Sequence, residues 1–311
     1  MSKKSATGMF SMFSTCGLIL VVVSLLLLVV VGFNYLTKNI QLHEGFEQKT
    51  QLIVKEGPEV YDDFYVNIYD SLVFNKLKND YEVGEIINST KPTSESKILD
   101  IGSGTGHHVK LLADKGVDAM GVDISQYMVN KAKETHPDQN FVQGDALNPS
   151  LFSPDSFTHI TCLYFGIYYF LDKRIFFKNC MKWLMPGGYL VVHLVDRDKF
   201  DPILPPANPV AMVSPQKYAK ERITSSRIVF NNMNYSANFD ITPSSSKASF
   251  NEKFKDKQTG KVRKNVHSFA MEPEKDIIVM AQDAGFILQG KIDLLKVGYE
   301  HQFLYIFVKP N

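Results

Sequence analysis

The sequence predicts an α/β protein built on a mainly parallel, doubly wound sheet. Three observations predict it. Lys97-Ile98-Leu99-Asp100-Ile101 is a short apolar strand that runs straight into Gly102-Ser103-Gly104-Thr105-Gly106, a glycine-rich turn with a helix pattern behind it. Val117-Asp118-Ala119-Met120-Gly121-Val122-Asp123 is a second strand ending on a carboxylate, 17 residues after Gly106. Strand and helix patterns then alternate through residues 97–195, the order that covers a parallel sheet on both faces.

The turn carries the first chemical signal. Gly102 and Gly104 let the backbone turn tightly and approach a ligand with no Cβ in the way. The N–H groups and dipole of the next helix favour an anionic group there. Asp123 stands close to the spacing at which a carboxylate meets a ribose hydroxyl pair. The dinucleotide fingerprint wants a small residue at position 107, but His107 stands there and the third glycine comes one residue early. Close helix–strand packing, rather than ligand contact, is the expected role of Gly106.

An aspartate followed by G-x-G-x-G resembles motif I of the class I S-adenosylmethionine (SAM) methyltransferases. Phe141-Val142-Gln143-Gly144-Asp145-Ala146 resembles that family's third strand and its acidic adenine contact. Asp155–Leu163 resembles the fourth strand, and Trp183–Val192, with Pro186-Gly187-Gly188, the L-x-P-G-G turn and fifth strand. The resemblance covers roughly residues 60–195 and resumes near the C-terminus. It implies a Rossmann-like, seven-stranded sheet, with SAM as cofactor. It puts Asp100, Gly102, Ser103 and Gly104 at the methionine portion and Asp123 at the ribose hydroxyls. It packs Ile124 on the adenine and sets Asp145 and Ala146 at the adenine amino edge.

Two aromatic segments flank this core. Tyr61, Tyr65 and Tyr69 recur every four residues within 59–72, so on a helix they line one face. Such a stripe can simply pack on the sheet. The resemblance implies a helix that closes over the cofactor, with Tyr65 its nearest residue. Tyr164-Phe165-Gly166-Ile167-Tyr168-Tyr169-Phe170 is unusually aromatic for a strand-to-helix connection. It either packs the core or brings Tyr164 and Tyr168 to the methyl-transfer pocket, where aromatic faces favour cations. For a catalytic base, His107, His108, His159, His193, His267 and His301 are all available. His193, at the end of the fifth strand, is nearest the expected acceptor side, so His193 and Tyr168 are the catalytic candidates.

After the fifth strand the pattern changes. Asp201–Pro209 holds four prolines in nine residues and cannot be regular structure. Residues 225–270 read as an antiparallel insertion with a hairpin turn at Lys257-Gln258-Thr259-Gly260. In small-molecule N-methyltransferases such an insertion roofs the acceptor site. Residues 273–284 read as a helix, and 285–288 and 302–308 as the two closing strands. Between Lys217 and Lys264 eleven Lys or Arg stand against four Asp or Glu. That excess is either a solvated face or a surface for anionic lipid, RNA or an acidic substrate.

The N-terminus carries a separate signal. Every residue from Gly17 to Phe33 is apolar except Ser24, enough with its flanks to span a hydrocarbon core of about 30 Å. The expected organisation is a single transmembrane helix at about 14–36, a juxtamembrane linker at 37–58, and a methyltransferase domain at 59–311 with its insertion at about 200–270. This implies single-pass membrane localisation with the catalytic domain on the cytosolic side.

A net charge of +1 offers no global field for nucleic acid, which is not an expected partner. Three scattered cysteines make no disulfide framework, and no metal site is expected. The expected activity is methyl transfer to a small-molecule or lipid-like acceptor. The alternatives are an RNA or protein methyltransferase using the basic insertion, and a non-catalytic module of the same fold tethered to a membrane.

Overall fold

The elements, in the computed structural model, are β1 (Leu52–Glu56), α1 (Asp63–Val73), α2 (Lys76–Thr90), β2 (Lys97–Ile101), α3 (His107–Asp114), β3 (Asp118–Asp123), α4 (Gln126–Thr135), β4 (Asn140–Gln143), β5 (Phe157–Cys162), α5 (Lys173–Trp183), β6 (Leu184–Val195), β7 (Ser225–Val229), β8 (Met233–Ile241), β9 (Lys247–Asp256), β10 (Val262–Ala270), α6 (Glu274–Asp283), β11 (Ile287–Asp293) and β12 (Gln302–Val308). The structure describes residues 52–207, 214–242 and 245–311.

Seven strands form one sheet in the order β11-β12-β6-β5-β2-β3-β4. The five from β2 to β6 run parallel, while β12 is antiparallel to both β6 and β11. This is the predicted Rossmann-like, mainly parallel sheet closed by a hairpin. Its inner strands are apolar on both faces, as strands covered by helices on two sides must be. Leu99, Ile160, Leu190 and Val192 are fully buried along them. The strand order reverses between β2 and β5, and such a switch point opens a crevice beyond the carboxyl ends.

The insertion forms a second, five-stranded sheet in the order β1-β10-β9-β8-β7. Strands β7 to β10 are antiparallel, as expected of the segment after the fifth parallel strand. Its inner face carries Tyr235, Phe239, Phe254 and Phe269, all buried. The local basic excess is partly consumed inside the fold. Arg263 grips both carboxylate oxygens of Asp62 at 2.8 Å, and Arg222 donates to the carbonyls of Arg197 and Phe200.

The structure corrects three expectations. Residues 52–56 belong to β1, which pairs in parallel with β10, rather than to a linker. Leu52, Ile53 and Val54 remain exposed, so backbone pairing rather than burial holds this edge. The tyrosine helix starts at Asp63, because Asp62 caps it by accepting from the Tyr65 N–H at 3.2 Å. Tyr61 therefore precedes the helix, yet its ring still meets Tyr65 and Tyr69 edge-on at 5.6 and 6.3 Å. Finally, among the described residues no helix is long and apolar enough to cross a membrane. The expected single-pass localisation is withdrawn on that finding; segment 14–36, on which it rested, lies outside the described residues.

Candidate active site

A cavity of about 510 Å³ lies beyond the carboxyl ends of β2, β3 and β5. All ten residues expected at the cofactor line it: Asp100, Gly102, Ser103, Gly104, Asp123, Ile124, Asp145, Ala146, Tyr164 and Tyr65. Its floor is the glycine turn and the ends of the strands. Its roof comes from the insertion, with Phe239, Phe250, His267 and Phe269.

The turn works differently from the sequence expectation. The Gly102 and Ser103 N–H groups both donate to the Val122 carbonyl, at 2.8 and 3.1 Å. The Gly104 N–H donates to Asp123 Oδ2 at 2.9 Å, and the Gly106 N–H to the Ser103 carbonyl. These amides are used up on β3 and within the turn, so the loop offers shape and close approach rather than a nest for an anion. The Ser103 side chain also turns inward. Its Oγ fills the space that a Cβ on Gly121 would occupy, at 2.5 Å. Gly106 is a packing glycine, as expected: a Cβ there would stand 2.5 Å from the Phe141 ring.

Carboxylates dominate the floor. Asp100 is buried and accepts from Thr161 Oγ1 at 2.6 Å; burial pushes its carboxyl up to about 6. Asp123 accepts the Gly104 and Ser125 amides, and burial raises it too. Asp145 accepts the Leu147 N–H at the end of its strand. Ile124 is 47% exposed, and so leaves an apolar face open in the cavity. Acidic groups, an open apolar face and a tight glycine turn fit a cationic sulfonium nucleoside better than an anionic dinucleotide.

The segment 57–73 covers this floor. Tyr69 reaches the glycine turn, with its Cε1 3.8 Å from where a Gly104 Cβ would lie. Tyr65, the expected nearest residue, instead packs among Tyr61, Tyr69, Phe254 and His267 with only 2% of its surface exposed. Asp70 ties the helix to the turn. It accepts from Thr105 Oγ1 at 2.7 Å and meets His107 Nε2 at 2.9 Å.

Both catalytic candidates are misplaced. His193 is 1% exposed and lies outside the cavity lining. Its Nδ1 donates to the Tyr164 carbonyl at 2.5 Å, and burial lowers it to about 4. It buttresses Tyr164, a non-glycine residue held at φ 49°, rather than facing an acceptor. Tyr168 is fully buried, with its hydroxyl accepting the Val195 N–H. The tyrosines that do reach the cavity from this region are Tyr164 and Tyr169, beside Phe165 and Phe170. Tyr164 donates to Asn79 Oδ1 at 2.7 Å and stacks under the Lys78 ammonium at 3.7 Å.

Four polar groups form a chain that the sequence reading did not assemble. Tyr61 Oη donates to Tyr169 Oη at 2.6 Å, which stands 2.7 Å from His267 Nδ1. His267 Nε2 stands 2.8 Å from Glu252 Oε2. The signal was present in the hairpin. A turn at 257–260 sets Asn265 opposite Glu252, which puts His267 two residues along on the same face.

Part of the chain is similar to known methyltransferases. Residues 99–192 match the "Methyltransferase domain" family. The demethylmenaquinone methyltransferase of Paenarthrobacter aurescens (strain TC1) is 35% identical over 96 residues, which is 31% of this chain and 37% of that protein. The chain thus matches little more than a third of that relative's length. A SAM-dependent methyltransferase structure from Clostridium acetobutylicum ATCC 824 superposes with a TM-score of 0.60, at 18% identity, over 80% of this chain and 99% of that one. SAM-bound CalS10, an amino pentose methyltransferase from Micromonospora echinaspora, gives 0.56 at 14% identity, over 86% of this chain and 99% of that one. These likenesses establish the fold. Together they give the chain a methyltransferase domain, matched over residues 99–192, on a fold shared with these methyltransferase structures.

Proposed function

We propose that this protein transfers a methyl group from SAM to a small, uncharged and largely apolar acceptor. One observation carries the acceptor reading: the cavity floored by carboxylates runs on beneath an aromatic roof of Phe165, Phe200, Phe239, Phe250 and Phe269. Lys78 is the one Lys or Arg lining it among the described residues, and its ammonium is spent on Glu82 at 2.5 Å. An anionic acceptor would find no free cation. Asp201 lies on the roof side, but its oxygens already accept from Ser214, Gln216 and Ile203.

In this reading Asp123 takes the ribose hydroxyls, Ile124 packs on the adenine, and Asp145 with Ala146 meets its amino edge. Asp100 and the Gly102–Gly104 turn hold the methionine portion. The tyrosines at 61, 65, 69 and 164 wall the transfer region, where their faces favour a cation. SAM, when bound, supplies a methyl already activated on sulfonium. The chain's contribution is orientation and the exclusion of water. A large nucleic-acid or protein acceptor is less favoured, because Arg222 and Arg263 of the basic segment are turned inward.

Calorimetric titration of SAM and S-adenosylhomocysteine into the full chain tests the reading, with Asp123→Ala beside it. Losing a buried carboxylate–hydroxyl pair costs about 1–3 kcal/mol, so affinity should drop by about 5- to 150-fold. Equal affinity in the two proteins removes Asp123 from the cofactor site.

A further inference from the structure

We propose that Tyr61, Tyr169, His267 and Glu252 form a proton relay that deprotonates a hydroxyl acceptor of the phenol or enol class. The inference rests on the methyl-transfer reading above and names the acceptor chemistry of that same cavity.

Three of the four residues, Tyr61, Tyr169 and His267, line the cavity, and Glu252 stands behind them. The hydrogen bonds set one direction. Tyr61 donates to Tyr169, so the Tyr169 proton points to His267 Nδ1. His267 must then carry its own proton on Nε2, facing Glu252 Oε2. Nδ1 is therefore a lone-pair acceptor connected to the cavity through two hydroxyls.

The far end is built to receive charge. Glu252 is 2% exposed and accepts three hydrogen bonds: Tyr235 Oη at 2.7 Å, Asn265 Nδ2 at 3.0 Å and His267. Arg263 Nε in turn donates to Asn265 Oδ1 at 2.8 Å, fixing that amide. Burying a carboxylate this deeply is costly, and an apolar residue would pack the roof sheet without that cost. A hydrogen-bonded carboxylate behind an imidazole stabilises the imidazolium formed when Nδ1 takes a proton. The titratable groups packed on the His267 ring are Glu252, Tyr169, Tyr61 and Tyr65, and none of them is cationic.

The relay selects an acceptor class. A neutral amine attacks through its lone pair and can lose its proton afterwards, so it needs no base in contact. A phenol or enol is a weak nucleophile until its O–H proton leaves. In the transfer step the acceptor O–H bond breaks and its electron pair forms the new O–CH3 bond. The sulfonium S–CH3 bond breaks with its pair returning to sulfur. The acceptor proton enters at a tyrosine hydroxyl, each hydroxyl passes its own proton on, and His267 Nδ1 takes the last one, leaving imidazolium against the Glu252 carboxylate.

The test uses 4-nitrophenol as probe on the full chain saturated with S-adenosylhomocysteine, reading the phenolate absorbance against pH. Expected is an apparent ionisation of the bound probe at least about one pH unit below that of the free phenol, an equilibrium shift of about tenfold. His267→Gln and Glu252→Gln should return it towards the free value. Tyr169→Phe, which removes one oxygen and keeps the ring, should do the same, and keeps the test decisive if a roof variant fails to fold. An unshifted probe, a shift that survives Tyr169→Phe, or failure of the probe to bind the loaded protein each overturns the relay. Failure of S-adenosylhomocysteine itself to bind overturns the methyl-transfer reading beneath it, and calorimetry on the same samples separates that result from the others.

Discussion

The Asp70 carboxylate on α1 meets His107 Nε2, at the first residue of α3, at 2.9 Å. Its other oxygen takes the Thr105 hydroxyl at 2.7 Å. The segment that covers the cavity is thus fastened to the glycine turn beneath it by one side chain. Burial pushes the Asp70 carboxyl up, but the His107 and Thr105 hydrogen bonds outweigh this and hold it below the usual range. Asp70→Ala should lose about 1–3 kcal/mol of this fastening and speed S-adenosylhomocysteine release by about 5- to 150-fold. Stopped-flow release, with hydrogen exchange across residues 63–73, checks it. Unchanged release would show that α1 is held elsewhere.

Gly106 sits at φ +87°, where a side chain is strained, and an added Cβ would stand 2.5 Å from Phe141 Cζ and 3.2 Å from Ala132 Cβ. Gly106→Ala therefore combines a left-handed backbone cost of about 1–2 kcal/mol with overpacking of about 1–3 kcal/mol. The melting temperature should fall by several degrees, at roughly 2–4 °C per kcal/mol. Adding Phe141→Leu should recover the packing part and leave the backbone part. A single variant as stable as the parent would mean that the turn relaxes freely.

Lys78, Glu82 and His108 form a buried line, with Nζ–Oε1 at 2.5 Å and Oε2–Nε2 at 3.0 Å. Burial pushes the Glu82 carboxyl up, yet the Lys78 ammonium and the His108 hydrogen bond pull it down to about 2, against an ordinary 4.5. A carboxyl lowered by folding stabilises the fold at pH above its unfolded value. That stability drains away as pH falls from about 4.5 through about 2. Glu82→Gln should cost about 3–5 kcal/mol near neutrality, because it strands a buried ammonium. It should also flatten the acid limb of the stability–pH curve, and urea melts across that range measure both effects. An acid limb as steep as the parent's would place the titration in other carboxylates.

Much of this was legible in the chain because it is local. A strand, two glycines and the aspartate ending the next strand sit within 27 residues, from Lys97 to Asp123, so spacing alone brings them together. The insertion strands were legible from alternation and from the turn at 257–260. The edge strand at 52–56 was not, because Leu52 to Val54 bury nothing and only a partner 210 positions away, Val262 for Leu52, makes them a strand. The His193 expectation failed for a related reason. Position at a strand end predicts the side of the sheet but not the depth, and His193 is buried with its Nδ1 on the Tyr164 carbonyl. Glu252 and His267 do not read as a pair because 15 positions and a hairpin turn separate carboxylate from imidazole in sequence, while the register joins them.

Asp100, on the floor of the cavity, gives the proposed cofactor site a pH dependence of definite sign. Burial pushes its carboxyl from 3.8 up to about 6, despite the Thr161 hydrogen bond and the His108 charge. A carboxyl raised by folding favours the folded state while protonated, so this group's contribution to stability is full below about 3.8 and declines as pH rises through about 6. Cofactor binding runs the other way. A cationic methionine ammonium beside Asp100 favours the ionised carboxyl, so below about pH 6 binding must expel a proton. SAM affinity should therefore be flat above about 6 and fall by up to about tenfold per pH unit beneath it. Calorimetry at about pH 5 in two buffers of different ionisation enthalpy should report release approaching one proton. Asp100→Asn should bind more weakly above about pH 6, where the parent carboxyl is ionised, and release no proton from this site, which leaves a level affinity profile. A parent profile that stays level down to about pH 5 would place the ammonium away from Asp100 and move the methionine portion elsewhere on the cavity floor.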